Sequence, residues 1–86
     1  MRRMSWHVYI VQCKGSKLYT GITNNLERRI RAHNNGVASR FTRSRKPVKL
    51  LYSEQYSTKP EALSREAQIK RLPREKKLQL IKVPKE

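Results

Sequence analysis

The chain has 86 residues, enough for one small domain that buries about 60% of the surface its unfolded form exposes, so a second domain is excluded and any active site must be shallow. Its 21 Lys and Arg stand against six Glu and no Asp, a net charge of +15, which points to a polyanion such as nucleic acid and to binding that weakens as salt rises. The sole cysteine, Cys13, excludes an internal disulfide and fits a reduced, cytoplasmic setting.

Residues 6–13 alternate β-branched and aromatic side chains, and residues 17–23 repeat the pattern after Lys14-Gly15-Ser16, which predicts a β-hairpin. A three-residue loop pairs Cys13 with Lys17, hence Val11 with Tyr19 and Tyr9 with Gly21, and sets both tyrosines on one face as diagonal neighbours. A two-residue loop would part them across the sheet. Gly21 marks either a bulge or a place where a phosphate approaches the backbone. Asn24 with Glu27 forms a capping-box pattern that opens a helix over 26–33, ended by Asn35-Gly36. On its wheel Leu26 and Ile30 form the apolar stripe, His33 falls beside Leu26, and Arg29 flanks His33 at the i, i+4 spacing. Arg28 and Arg31 point away, as a solvated or phosphate-steering face.

Residues 37–47 read as an irregular loop in which Arg40, Arg43, Arg45 and Lys46 are interleaved with Phe41. That is the composition of a phosphate-contacting, base-stacking segment, and equally of a basic solvated loop with Phe41 tucked into the core. Residues 48–56 alternate as a third strand. Thr58 with Glu61 is a second capping-box pattern, opening a helix over 59–72 that Pro73 interrupts. Residues 74–81 resume as a short helix carrying Leu78 and Ile81, and 83–86 form a frayed tail. The inward stripe of the long helix is Ala62-Leu63, Glu66-Ala67 and Ile69-Lys70, so Glu66 lies among apolar positions where a solvating charge does not belong. The expectation is one α+β domain over 1–86, with its core at about 6–81 and the order ββαβαα.

Composition narrows the chemistry. Two histidines and one cysteine leave a zinc site without its donors, and scattered glutamates do not build a carboxylate-rich two-metal centre. One carboxylate holding one Mg²⁺ stays open. Three glycines leave no room for a glycine-rich phosphate loop. No signal peptide opens the chain, and the longest apolar run, Val8-Tyr9-Ile10-Val11, is far too short to span a membrane.

A strand tyrosine taken alone is packing more often than chemistry; only the constellation outweighs that reading. The constellation resembles the GIY-YIG nucleases, in particular their small standalone, UPF0213-like members, over about residues 6–81. His7-Val8-Tyr9 stands in place of the first motif and Tyr19-Thr20-Gly21 in place of the second. Ten residues separate the tyrosines, ten more lead to Arg29, His33 follows four later, and Glu66 sits on a later helix. The resemblance implies a small three-stranded antiparallel sheet flanked by helices, and one-metal hydrolysis of a nucleic-acid phosphodiester with Mg²⁺ or Mn²⁺, leaving a 5′-phosphate and a 3′-hydroxyl. By position it implies Tyr9 as general base, Tyr19 as a contact to phosphate or water, Arg29 as phosphate clamp, His33 as proton acceptor or orienter, and Glu66 as the metal ligand. These residue types suit such roles. A phenol of pKa about 10 needs lowering, which a cation and a metal both favour; an imidazole takes the proton; a guanidinium offers a fork to phosphate oxygens.

The sequence departs from the family pattern where His7 replaces the first-motif glycine, where Ile22 follows Gly21, and where no Asn follows Asn35. The last two departures imply either slower chemistry or another residue, Arg65 or Lys70, in a supporting role. The candidate nucleic-acid contacts are Arg28, Arg31, Arg40, Phe41, Arg43, Arg45, Lys46 and Lys70. DNA is expected ahead of RNA, and a protein partner or a second copy is a further source of specificity. The rival is a non-catalytic basic DNA- or RNA-binding module; a basic accessory protein of a larger assembly would leave Tyr9, His33 and Glu66 as packing. Glu66 favours the enzyme, since an acid beside a phosphate site opposes binding unless a cation mediates it.

Overall fold

Four consecutive residues of strand β1 (Trp6–Gln12), Val8, Tyr9, Ile10 and Val11, are fully buried, which happens only when both faces of a strand are covered. The computed structural model describes residues 5–82; the expected tail at 83–86 lies outside them. In it β1 is the central strand of an antiparallel sheet of order β2-β1-β3, with β2 at Leu18–Thr23 and β3 at Lys49–Tyr56. The helices are α1 (Leu26–Asn34), a single turn α2 (Arg40–Arg43), α3 (Lys59–Arg71) and α4 (Arg74–Lys82). The fold is α+β, and apart from its one-turn pieces the order is ββαβαα.

The period-two alternation of β1 divides the interior in two. Val8 and Ile10 pack with Ala62 and Ile69 of α3 and with Ile22, Tyr52, Leu80 and Ile81. Tyr9 and Val11 pack on the opposite face with Cys13, Val48, Tyr19, Leu26 and Ile30. The hairpin turns through a 3-10 turn at Lys14–Ser16, where Gly15 takes a positive φ of 81°. Its register is the one a three-residue loop requires, Val11 opposite Tyr19 and Tyr9 opposite Gly21. No bulge falls at Gly21; the irregularity lies between Ile10 and Val11, on the β3 side.

Local structure departs from the sequence expectations in three places, each for a physical reason. The N-cap of α1 is Asn25, whose Oδ1 accepts the Arg28 N–H at 3.1 Å. Thr23 Oγ1 takes the Asn25 N–H at 3.1 Å and helps hold that residue extended, so Glu27 falls short of the capping-box position and pairs with Arg31 at 3.7 Å instead. The 37–47 segment is not irregular throughout, because Ser39 caps α2 by accepting the Thr42 N–H at 3.1 Å. The two-point amide clamp of Asn34 on Val48, at 2.7 and 3.3 Å, then ties the end of this segment to α1.

The Thr58–Glu61 capping box of α3 forms, but its buried stripe is narrower than the pattern suggests. Ala62 and Ile69 are fully buried, whereas Leu63 is 44% exposed and Ala67 and Lys70 lie in solvent. The reason is a polar strap that turns this face of the helix toward β3. Arg65 donates from Nε and Nη2 to the two oxygens of Glu54 at 2.9 and 3.0 Å. The same carboxylate accepts from Tyr56 at 2.6 Å and also from Tyr52. Burial would raise the Glu54 pKa, but these donors hold it at about 2. Nothing in the sequence set Glu54 apart from the other glutamates. Helix α4 adds Leu80 beside the expected Ile81 to the core, with Leu78 half-buried. Among the described residues no helix is long and apolar enough to cross a membrane.

Candidate active site

Tyr9 leaves the centre of the sheet and lays its ring across β2 at Gly21. A Cβ at Gly21 would sit 2.5 Å from the Tyr9 phenol oxygen and 2.7 Å from Cζ, so the glycine is there to admit the tyrosine, rather than to make a bulge or admit a phosphate. The Tyr9 oxygen then lies 2.7 Å from His33 Nε2. On the far side of the imidazole, Nδ1 lies 2.8 Å from Thr42 Oγ1, and Thr42 Oγ1 lies 2.9 Å from Ser39 Oγ. Tyr9, His33 and Thr42 are all fully buried in the free protein, so each of these hydrogen bonds satisfies a polar group that bulk solvent does not reach there.

Tyr19 joins the group from β2, with ring centroids 6.4 Å from Tyr9 and 5.2 Å, edge-on, from His33. Its ring also stacks on Phe41 at 5.9 Å, and the Arg45 guanidinium lies 4.1 Å from the Phe41 centroid. Phe41 is thus neither in the core nor free in solvent: 36% exposed, it forms the middle layer of a Tyr19–Phe41–Arg45 stack. Arg45 Nη1 donates to the Phe41 carbonyl at 2.8 Å and fixes that geometry.

Arg29 sits where the helical wheel directed it. Its guanidinium lies close enough to act on the Tyr9 phenol, and its charge acts on both Tyr9 and His33, while its Nε is buried without a partner. The direction of the Tyr9 shift is opposite to the lowering expected from sequence. Burial pushes the phenol up, the neighbouring Arg29 guanidinium opposes this only in part, and the Glu66 charge adds to the rise. Burial, and then the Arg29 cation, push His33 down. The resting pair is therefore a protonated Tyr9 beside a neutral His33.

Glu66 reaches this group from α3, on the opposite face of the sheet, close enough for its charge to act on Tyr9. Its side chain is 17% exposed, and one oxygen lies 3.2 Å from Lys70 Nζ. Tyr9, Tyr19, Arg29 and His33 thus share one site, with Glu66 at its margin. Among the described residues no cluster of three metal-ligating side chains occurs. A lone hard oxygen donor fits an ion such as Mg²⁺, which keeps much of its water and takes further ligands from a phosphate. The same donor set does not fit Zn²⁺.

The basic candidates divide by what already engages them. Arg28, Arg40, Arg43 and Lys46 are exposed. Arg31 is paired with Glu27, Lys70 with Glu66, and Arg45 lies on Phe41. Arg65, a candidate for a supporting role, is committed to Glu54. Thr42 and Ser39 were not among the candidates; their only signal was a Ser-x-x-Thr spacing that also suits a helix cap.

Residues 5–79 match the GIY-YIG catalytic domain. A UPF0213 protein of Clostridium perfringens is 60% identical over 75 residues, covering 87% of this chain and 81% of that one. A UPF0213 protein of Staphylococcus saprophyticus is 51% identical, covering 87% and 92%. Among solved structures, the UPF0213 protein BH0048 of Bacillus halodurans superposes with a TM-score of 0.59 at 40% identity, covering 91% of this chain and 83% of that one. The E. faecalis protein EF2693 superposes with a TM-score of 0.62 at 36% identity and the same coverage. The chain belongs to the GIY-YIG catalytic-domain family.

Proposed function

We propose that this protein is a divalent-metal-dependent endonuclease that hydrolyses a nucleic-acid phosphodiester, DNA ahead of RNA, with Tyr9 as the general base and His33 as its proton acceptor. The observation that carries this reading is the 2.7 Å contact between Tyr9 and His33 Nε2, made beneath a guanidinium whose buried Nε is unsatisfied. A phosphate oxygen answers that donor, and Arg29 keeps its charge throughout.

The pKa directions favour a relay over a preformed phenolate. As water attacks phosphorus, its proton passes to the Tyr9 oxygen while the Tyr9 proton passes to Nε2. The new P–O bond forms as the bond to the 3′ oxygen breaks, leaving a 5′-phosphate and a 3′ oxyanion that takes a proton from solvent to become the 3′-hydroxyl. The relay ends on an imidazolium and never requires a free phenolate in a buried site, where it would be costly. Arg29 stabilises the charge that gathers on the phosphate oxygens, and Tyr19 walls the site beside His33. Glu66 would hold the metal ion, which when bound would offset charge on the leaving oxygen.

The test is purified protein with linear, nicked and branched DNA and RNA, with and without Mg²⁺ or Mn²⁺, beside Tyr9→Phe and Glu66→Ala. Metal-dependent cleavage should fall by on the order of 10²–10⁴ in Tyr9→Phe, and Glu66→Ala should abolish the response to metal. Cleavage that survives both substitutions overturns the assignment. Binding without cleavage of any substrate makes the protein a basic nucleic-acid-binding module instead.

A further inference from the structure

The hydrogen bonds running inward from Tyr9 have a direction, and two residues that take no part in the proposed chemistry complete it. The Arg29 guanidinium acts on the Tyr9 phenol and can only donate, so it cannot take the phenol's proton. The phenol's own proton therefore needs an acceptor, and His33 Nε2 stands 2.7 Å away. Nε2 then carries the lone pair of the neutral ring, which places the ring proton on Nδ1, donated to Thr42 Oγ1 at 2.8 Å. Thr42 has one proton left to give, and Ser39 takes it, with its Oγ at 2.9 Å and its carbonyl at 3.5 Å. From Tyr9 to Thr42 each proton along this chain has an acceptor. Reversed, with Thr42 donating to Nδ1, the ring proton would sit on Nε2 facing the phenol, and the buried Tyr9 hydroxyl would lose its acceptor.

We propose that Thr42, anchored by Ser39, is a positioning residue that holds His33 as the Nδ1–H tautomer and so makes Nε2 the acceptor of the Tyr9 proton. The groups facing the imidazole are Tyr9 from β1, Tyr19 edge-on from β2, Arg29 from its own helix and Thr42 from α2, with Glu66 of α3 acting on Tyr9. Of these only Thr42 bonds Nδ1. The consequence for rate rests on the nuclease reading; the tautomer does not.

The experiment is imidazole ¹⁵N spectroscopy on the full-length labelled protein, beside cleavage kinetics. The wild type should show a protonated, pyrrole-type Nδ1 and an unprotonated, pyridine-type Nε2. Thr42→Val, nearly isosteric but unable to accept, should move the ring toward Nε2–H, and Thr42→Ser should restore the wild-type pattern. In cleavage, Thr42→Val should lose on the order of 10–100-fold in kcat with KM unchanged, as loss of an orienting partner does elsewhere, and Thr42→Ser should recover most of it. A wild-type ring protonated on Nε2, or a Thr42→Val ring that keeps its proton on Nδ1, overturns the proposal. If Thr42→Val does not fold, Ser39→Ala decides: it leaves the Thr42 proton only the Ser39 carbonyl at 3.5 Å and should shift the tautomer part of the way, and unchanged nitrogen shifts overturn the proposal. Absence of cleavage with the expected tautomer pattern would sink the nuclease reading and leave the positioning role standing.

Discussion

Gly21 shows how one absent atom shapes the site. The Tyr9 ring is buried and held by His33, so it cannot swing away from a new methyl group as an exposed side chain would. Gly21→Ala should destabilise the fold by about 1–3 kcal/mol through overpacking. It should also lower cleavage by on the order of 10²-fold at temperatures where the variant stays folded, because it displaces the proposed base. Melting curves beside cleavage assays separate the two effects; a variant with wild-type activity would mean the phenol position is unimportant. His33 yields a prediction with a definite sign. Unfolded, it binds a proton near pH 6.5; folded, burial and Arg29 lower its pKa. Its contribution is thus present above that pH and is lost as pH falls through the lowered value. Denaturant melts between pH 8 and 5 should show this loss, flattened in His33→Gln, and an equal slope in the two proteins would refute it. Tyr9, Tyr19 and the choice of Arg29 over Arg28 were legible because hairpin register and helical angle follow from spacing. The Tyr9 pKa direction was not, because burial depends on what covers the strand, and Thr42 was not, because its partner lies nine residues away on another element.

At the scale of elements, the Glu54–Arg65 strap explains how α3 is aimed. Arg65 precedes Glu66, so the contacts that fix Arg65 on β3 also set the helical angle at which Glu66 leaves α3. Arg65→Met should cost about 2–3 kcal/mol, because it leaves a half-buried carboxylate without its charged partner. It should also weaken the metal response of cleavage, through Glu66, more than substrate binding. An unchanged metal titration would break the link between strap and ligand. The strap also has an acid signature. The Glu54 pKa is held at about 2, against about 4.3 in an unfolded chain, so its stabilisation is present above the unfolded value and is lost as pH falls toward 2. Glu54→Gln should be less stable than wild type at neutral pH and should show a shallower decline in that window. Both capping patterns were visible as residue pairs, yet only Thr58–Glu61 forms as read. Thr23 moved the first cap by one residue, a competition between neighbouring hydroxyl and amide side chains that spacing alone does not decide. Glu54 was illegible for a related reason: its donors come from β3 itself and from a helix eleven residues away.

For the whole molecule, the net charge of +15 is a sum over cations in unequal circumstances. A cation already held by a carboxylate releases fewer counterions from a nucleic acid than a free one, because part of its charge is neutralised beforehand. Arg31 has Glu27 and Lys70 has Glu66, whereas Arg40, Arg43 and Lys46 are exposed beside the stack that leads to Tyr19. Neutralising those three together should therefore reduce the slope of log affinity against log salt by about 2–3, close to 0.9 per lost phosphate contact. Arg31→Ala should reduce it by less than one unit, and Lys70→Ala should chiefly alter the metal dependence of cleavage by releasing Glu66. Binding measured by fluorescence anisotropy across a KCl series distinguishes these cases. Equal slope changes for Arg31 and for each loop cation would show that the molecule acts as a uniform positive field. Unequal ones would place the nucleic-acid track along α2, next to the aromatic stack, so that a phosphate held there lies beside the Tyr9–His33 pair.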